Sequence, residues 1–305
     1  MSIIVENITK LYGKQKALDD ISFTIGAGEV VGLLGPNGAG KSTMMKIITC
    51  FIPPTSGNVL VNGFNIFEHS LEVRKHVGYL PENNPLYVDL YVEEYLEFVA
   101  GIYKLKNKKE RVAEMIDITG LEIEKNKKIG ALSKGFRQRV GLAQAMIHDP
   151  SVLILDEPTS GLDPNQLLEI RNLIKKIGKE KTVMLSTHIM QEVEAVCDRA
   201  VIIDKGHIVA DDSTKNLSSG TSKMQVIKVE FNKSIDKALL MALKGVSNCR
   251  QLKNGLWEID TDTNNDIRED IFKLAVENDV AVLSMQKAEK RLEEVFQQLT
   301  GKNPI

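Results

Sequence analysis

Nine consecutive residues, Gly35-Pro36-Asn37-Gly38-Ala39-Gly40-Lys41-Ser42-Thr43, follow the order G-x-x-x-x-G-K-[ST]. Glycines let the backbone wrap closely, so that successive N–H groups and the start of a following helix converge on one anion. The anion that suits this pattern is a nucleotide triphosphate. Lys41 would reach the outer phosphates, and the Ser42 hydroxyl would meet a Mg²⁺ bridging them. Hydrolysis also needs a positioned water and a group to orient it. Asp156 and Glu157 supply candidates, because they end the apolar run Ser151-Val152-Leu153-Ile154-Leu155. A carboxylate at such a strand end can approach a metal already held by Ser42, and the next acid faces the open edge of the sheet. Asp156 is therefore assigned to metal and Glu157 to water.

These residues need a strand, a loop and a helix to hold them. Val30-Val31-Gly32-Leu33-Leu34 leads into the glycine-rich loop, and Met44-Met45-Lys46-Ile47-Ile48 leaves it. Upstream, Ile3 to Ile8 and Ile21 to Ile25 predict two strands of a half-buried antiparallel layer, joined by a polar segment containing Tyr12-Gly13. Val59 to Gly63 and Val77 to Leu80 predict further strands, and Pro81-Glu82-Asn83-Asn84-Pro85 a loop. Amphipathic helices are expected over Val92–Tyr103 and Lys109–Ile118, with the charged run Lys104 to Lys108 as a solvated connection. Ser133 opens a helix whose Val140, Ala143 and Ile147 share a face. Beyond it, apolar runs at Ser151–Asp156, Thr182–Ser186 and Ala200–Asp204 alternate with helices from Pro164 and Met190, and a strand His207–Ala210 follows. That alternation predicts a mainly parallel core sheet.

The Ser-, Thr- and Gly-containing stretch 213–224 is expected to be a linker between a domain at 1–212 and a smaller one at 225–305. The second follows β-α-β-β-α-β order, with an Asn254-Gly255 turn and a last helix Arg291–Leu299. The expected fold is thus α/β: a P-loop NTPase with a parallel core sheet, an antiparallel β layer and a helical subdomain, plus a small α+β ferredoxin-like C-terminal domain.

The 305 residues carry 39 Lys and Arg against 41 Asp and Glu, a net charge of −2. No basic field marks the chain as a nucleic-acid binder. Cys50, Cys197 and Cys249 lack metal-ligand spacing and fit a reducing compartment. No signal pattern and no apolar run of the roughly twenty residues that span a bilayer is present. The expectation is a cytoplasmic chain whose membrane role comes through a partner.

Taken in order, the motifs of the first 212 residues resemble those of the ATP-binding subunits of ABC transporters. Beside the phosphate loop and Asp156-Glu157 stand Leu132-Ser133-Lys134-Gly135-Phe136, similar to that family's signature, then Ser160-Gly161-Leu162-Asp163, and then His188. Lys134 and Phe136 occupy positions where the family has glycine and glutamine. The resemblance implies ATP and Mg²⁺ as ligands and a head-to-tail dimer of two copies. In that dimer Ser133 and Gly135 of one chain close over the γ-phosphate held by the other. It further implies that His188 contacts the γ-phosphate, that Tyr12 stacks on adenine, and that Glu82 takes the place of a glutamine touching metal and water. Taken alone, Ser133 is equally an ordinary helix N-cap, His188 a structural histidine, and Tyr12 a core residue. A negative Glu82 adds repulsion toward phosphate unless a metal screens it.

The family implies an integral membrane permease as partner and a position on the inner face of the cell membrane, with no nucleic acid. The segment Arg291-Leu292-Glu293-Glu294-Val295-Phe296 and the stretches Gly78–Glu82, Asn84–Tyr87 and Ser186–Val193 resemble exporter ATPases, in particular those linked to bacterial gliding motility. The rivals are a soluble ATPase of the same fold acting on ribosomes or DNA, and a regulatory module that binds ATP without turnover. Glu157 argues against the second.

Overall fold

The computed structural model describes residues 2–219, 224–253, 255–262, 266–288 and 296, in two compact units, Met1–Ser213 and Thr214–Ile305. The first begins with a hairpin, β1 (Ile3–Tyr12) and β2 (Gln15–Ile25). Alternating burial along both strands places Ile3, Val5, Ile8, Ile21, Phe23 and Ile25 on one apolar face. These strands run further than the sequence suggests. Tyr12 pairs with Gln15 across a tight turn at positive-φ Gly13, where a longer polar connection is expected.

After β3 (Val30–Leu34) and the glycine-rich loop comes α1 (Lys41–Ile48). Then follow β4 (Ser56–Val61), β5 (Phe64–Asn65), a helix not anticipated from the sequence, α2 (Ser70–His76), and β6 (Val77–Leu80). The helices α3 (Val92–Ile102), α4 (Lys108–Thr119) and α5 (Lys134–Met146) pack on one another as a separate layer. Arg139 of α5 secures that layer by donating to the Thr119 carbonyl that ends α4. The chain then alternates through β7 (Val152–Asp156), α6 (Pro164–Gly178), β8 (Thr182–Thr187), α7 (Met190–Val196) and β9 (Arg199–Asp204) to β10 (His207–Ser213).

Two sheets result. The antiparallel one has order β2-β1-β4-β5; the other has order β10-β9-β3-β8-β7-β6, parallel throughout except for the β10 edge. Met44, Met45, Ile47 and Ile48 of α1 join residues of both sheets in one buried core, so the helix leaving the glycine-rich loop is held on both sides. Burial of each such side chain contributes about 1.5–3 kcal/mol.

In the second unit, α8 (Thr214–Ser219) and the start of β11 (Met224–Phe231) occupy part of the stretch expected to be a linker. Buried Leu217 gives this polar stretch its anchor. The unit continues through α9 (Lys237–Met241), β12 (Val246–Lys253), β13 (Leu256–Asp262), α10 (Arg268–Glu277) and β14 (Val282–Ala288). Its sheet has order β12-β13-β11-β14, all antiparallel. One face forms a core of Ile227, Val229, Trp257, Ile259, Leu240 and Ile271. The expected last helix lies outside the described residues except for Phe296, which is helical and buried. Among the described residues no helix is long and apolar enough to cross a membrane.

Candidate functional site

The parallel strands carry the chemistry-bearing residues to one edge. β3 lies beside β8, β8 beside β7, and β7 beside β6, with Leu34 paired to Thr187 and Asp156 to Ser186. The glycine-rich loop leaves β3, His188 follows β8, Glu157 follows β7, and Glu82 lies two residues past β6, so all four converge at the carboxyl ends of the strands. There a cleft of about 530 Å³ is lined by Tyr12, Gly38, Lys41, Ser42, Glu82, Glu157 and His188, with Asn37, Ala39, Gly40 and Thr43 also on its wall.

The loop is shaped by what its glycines allow. Gly40, immediately before α1, has φ +112°, and a Cβ there would meet the Ala17 carbonyl; at Gly35 a Cβ would collide with the Ile203 carbonyl. Gly35 and Pro36 lie behind the loop, where their carbonyls accept from Lys41 Nζ at 2.7 and 3.3 Å. Lys41 is 7% exposed. Burial pushes its ammonium below the usual lysine range, while the charges of Glu157, Asp156 and Glu82 oppose that shift.

Asp156, fully buried at the end of β7, accepts from Ser42 Oγ at 3.2 Å and from Ser186 Oγ at 2.5 Å. The same Ser186 hydroxyl accepts from the Glu157 N–H at 3.0 Å. Glu157 itself has φ +50°, a left-handed conformation that costs a non-glycine residue about 1–3 kcal/mol and persists only where its surroundings enforce it. Its Oε2 lies 3.0 Å from His188 Nδ1. Burial raises the Glu157 pKa above the usual carboxylate range, and the hydrogen bond and charge of His188, with Lys41, pull it back.

Ser42 and Asp156 offer hard oxygen donors in contact with each other, and Glu82 adds a carboxylate on the wall. Among the described residues no three His, Cys, Asp or Glu side chains gather into a cage. This donor set fits Mg²⁺, which binds through one or two protein oxygens and completes its octahedron with phosphate and water.

Ser133 and Gly135 stand apart from the cleft lining. Ser133 caps α5, its exposed Oγ accepting from the Phe136 N–H at 3.3 Å. Gly135 is covered by Gln166 of α6, into which any Cβ would run. The sequence reading missed Gln15, Ala17 and Ser160 as lining residues. Gln15 and Ala17 reach the cleft because the β1–β2 hairpin extends over it, and nothing in their residue types announces that.

A phosphate-binding loop at the head of a two-sided buried helix, facing adjacent acids and a histidine, is the geometry of a nucleotide-hydrolysing cassette. Comparison with known proteins decides the family. The ABC transporter family model matches residues 18–160. The linearmycin resistance ATP-binding protein LnrL of Bacillus subtilis is 34% identical over 304 residues, 97% of each chain. The bacitracin transport ATP-binding protein BcrA of Bacillus licheniformis is 33% identical over the full length of both. This chain belongs to the ABC transporter ATP-binding proteins. Among solved structures, the dimeric post-hydrolysis ATP-binding cassette MJ0796 bound to ADP and Pi superposes with TM-score 0.64 at 29% identity, over 69% of this chain and 98% of that one. An ATP-binding subunit of an ABC transporter gives 0.65 at 31%, over 71% and 92%. The shared fold is the ABC cassette, with its parallel sheet, antiparallel sheet and helical subdomain, and the chain is an ATPase of this family and an ATP-binding subunit of an ABC transporter.

Proposed function

We propose that this ABC ATPase powers an exporter, binding MgATP in the cleft and turning it over in a head-to-tail dimer of two copies. The observation that carries hydrolysis is the Glu157–His188 contact at 3.0 Å, on the wall of the cleft that Lys41 and Ser42 of the loop also line. Mg²⁺, when bound by Ser42 and Asp156 and faced by Glu82, would withdraw charge from the phosphates. Glu157 orients the attacking water and accepts its proton, and burial, which raises its pKa, makes it a stronger base than an exposed carboxylate. His188 fixes the Glu157 carboxylate through Nδ1 and keeps its other nitrogen for the terminal phosphate. Lys41 and the N–H groups of the loop hold the phosphates. Tyr12, a lining residue 51% exposed, offers the adenine a stacking face. Ser133 and Gly135, at the start of α5 and turned away from their own cleft, are suited to the phosphate of a second copy.

The permease, in this reading, receives its signal through the loop 81–89. Glu82 of that loop faces the cleft, while Asn84 Nδ2 donates to the Arg137 carbonyl of α5 at 2.9 Å, so a change at the nucleotide reaches the helical layer directly. LnrL and BcrA, which align along nearly the whole chain, are named for linearmycin resistance and for bacitracin transport, and an export direction is this proposal's reading of those names. The gliding-motility resemblance rests on the sequence stretches alone. The second unit, whose strand order supports a ferredoxin-like reading, serves as an accessory domain over 225–305, and the ATP-binding domain spans 1–212.

Glu157→Gln tests the catalytic assignment. We expect MgATP to bind with wild-type affinity, turnover to fall about a thousandfold, and a stable dimer to accumulate in light scattering. Wild-type turnover would overturn the assignment. Copurification of the tagged chain with a multi-span membrane protein, rather than with ribosomes, tests the partner.

A further inference from the structure

Glu192 lies on α7, away from the cleft wall, and is 2% exposed. A buried carboxylate is costly unless hydrogen-bonded, and this one is bonded at both oxygens to segments that carry the site. Oε1 accepts from Thr159 Oγ1 at 2.5 Å, and Oε2 accepts from Thr187 Oγ1 at 2.7 Å. Arg171 of α6 stands 3.9 Å from Oε1 and balances the charge. Thr159 is two residues past Glu157 and adjoins Ser160 on the cleft wall; Thr187 immediately precedes His188. With the His188–Glu157 contact these links close a ring, Glu157-Pro158-Thr159, Glu192, Thr187-His188 and back to Glu157. Thr187 Oγ1 also accepts from the Ile189 N–H at 3.1 Å, which shapes the loop after His188. The left-handed backbone at Glu157 sits inside this ring, and a strained conformation of that kind needs such external constraint.

We propose that Glu192 is a positioning residue for hydrolysis, clamping the loops after β7 and β8 so that Glu157 and His188 stay in register. The inference rests on the roles assigned above to those two residues. Removing the clamp leaves the phosphate loop and its nucleotide contacts intact, so the effect falls on the chemical step and not on binding.

The experiment compares Glu192→Ala, Thr159→Val, His188→Ala, the double variant Glu192→Ala/His188→Ala and Glu157→Gln in the full chain, measuring ATP turnover, MgATP affinity by calorimetry and thermal unfolding. For Glu192→Ala we expect kcat to fall about 10- to 100-fold with affinity unchanged within twofold. Thr159→Val, which deletes the one hydroxyl that meets Glu192 Oε1, should give a smaller loss of kcat in the same direction with MgATP affinity unchanged, at some cost in unfolding temperature. The double variant should turn over no more slowly than His188→Ala, because Glu192 acts through the pair. Unchanged kcat in both Glu192→Ala and Thr159→Val, or losses that multiply in the double variant, would overturn the proposal. A Glu192→Ala chain that fails to fold leaves the decision to Thr159→Val, whose wild-type kcat would sink it. If Glu157→Gln itself retains turnover, the failure belongs to the assignment of Glu157 and not to the clamp.

Discussion

The loop edge of the central sheet and the start of α5, both assigned to phosphate in the proposed function, are held in opposite ways. At the loop edge three of the charged groups are answered from within the chain: Lys41 by the Gly35 carbonyl, Asp156 by Ser42 and Ser186, Glu157 by His188. At α5 the Ser133 hydroxyl is exposed, its own helix N–H is its hydrogen-bond donor, and the residue lies off the cleft. One site is internally complete, and the other presents a helix start outward. In the proposed dimer the contrast assigns affinity for nucleotide to one chain's own cleft, and completion of the hydrolytic site to the start of α5 from a second copy.

The largest expected effect would come from the internally complete side. Lys41→Ala should weaken MgATP binding by about a hundredfold or more, the worth of a charge-assisted contact of about 3 kcal/mol, as read by calorimetry on the dilute chain. Unchanged affinity would remove the loop from the site. The outward side should behave differently. Ser133→Gly preserves the helix cap to within a few tenths of a kcal/mol while deleting the hydroxyl, so stability and MgATP affinity of the dilute chain should hold. Turnover should drop about a hundredfold, as when one donor to a developing charge is lost. If Ser133→Gly weakened binding as Lys41→Ala does, the contrast between the two regions would collapse.

How much of this could be read from residues alone follows from how local each signal is. The phosphate loop and the apolar run into Asp156 are contiguous, and their residue types leave few other structures available, so strand, loop and helix fall where the sequence puts them. The tertiary parts were not legible. Asp156 meets Ser186, and Thr159 meets Glu192, only because β7 and β8 are adjacent and parallel, and no spacing in a chain of ordinary Ser, Thr, Asp and Glu residues encodes those meetings. Within the stretch expected to be a linker, 213–224, residues 214–219 form a helix. Ser, Thr and Asn favour turns by local competition for backbone hydrogen bonds, and Leu217, the one apolar residue of that helix, is buried. The β1–β2 hairpin lacks the Asn-Gly or Asp-Gly signal, so its extension over the cleft, which brings Tyr12, Gln15 and Ala17 to the wall, becomes visible only in three dimensions.

Tyr12 sharpens the comparison at its weakest point, because it belongs to the loop side of the cleft yet carries no charge. The residue is 51% exposed and its ring lies under Lys10 Nζ at 5.3 Å from the centroid, so it contributes little to the core, and Tyr12→Ala should change stability by less than about 0.5 kcal/mol. A ring that stacks on a nucleobase is worth about 1–3 kcal/mol, which puts the expected loss of ATP affinity near tenfold, well short of that from Lys41→Ala. Stacking uses the face of the base and not its edge, so GTP binding should weaken by the same factor. A loss confined to ATP would mean that the rim reads the base through hydrogen bonds, whereas a fall in thermal stability with affinity intact would return Tyr12 to the role of a packing residue.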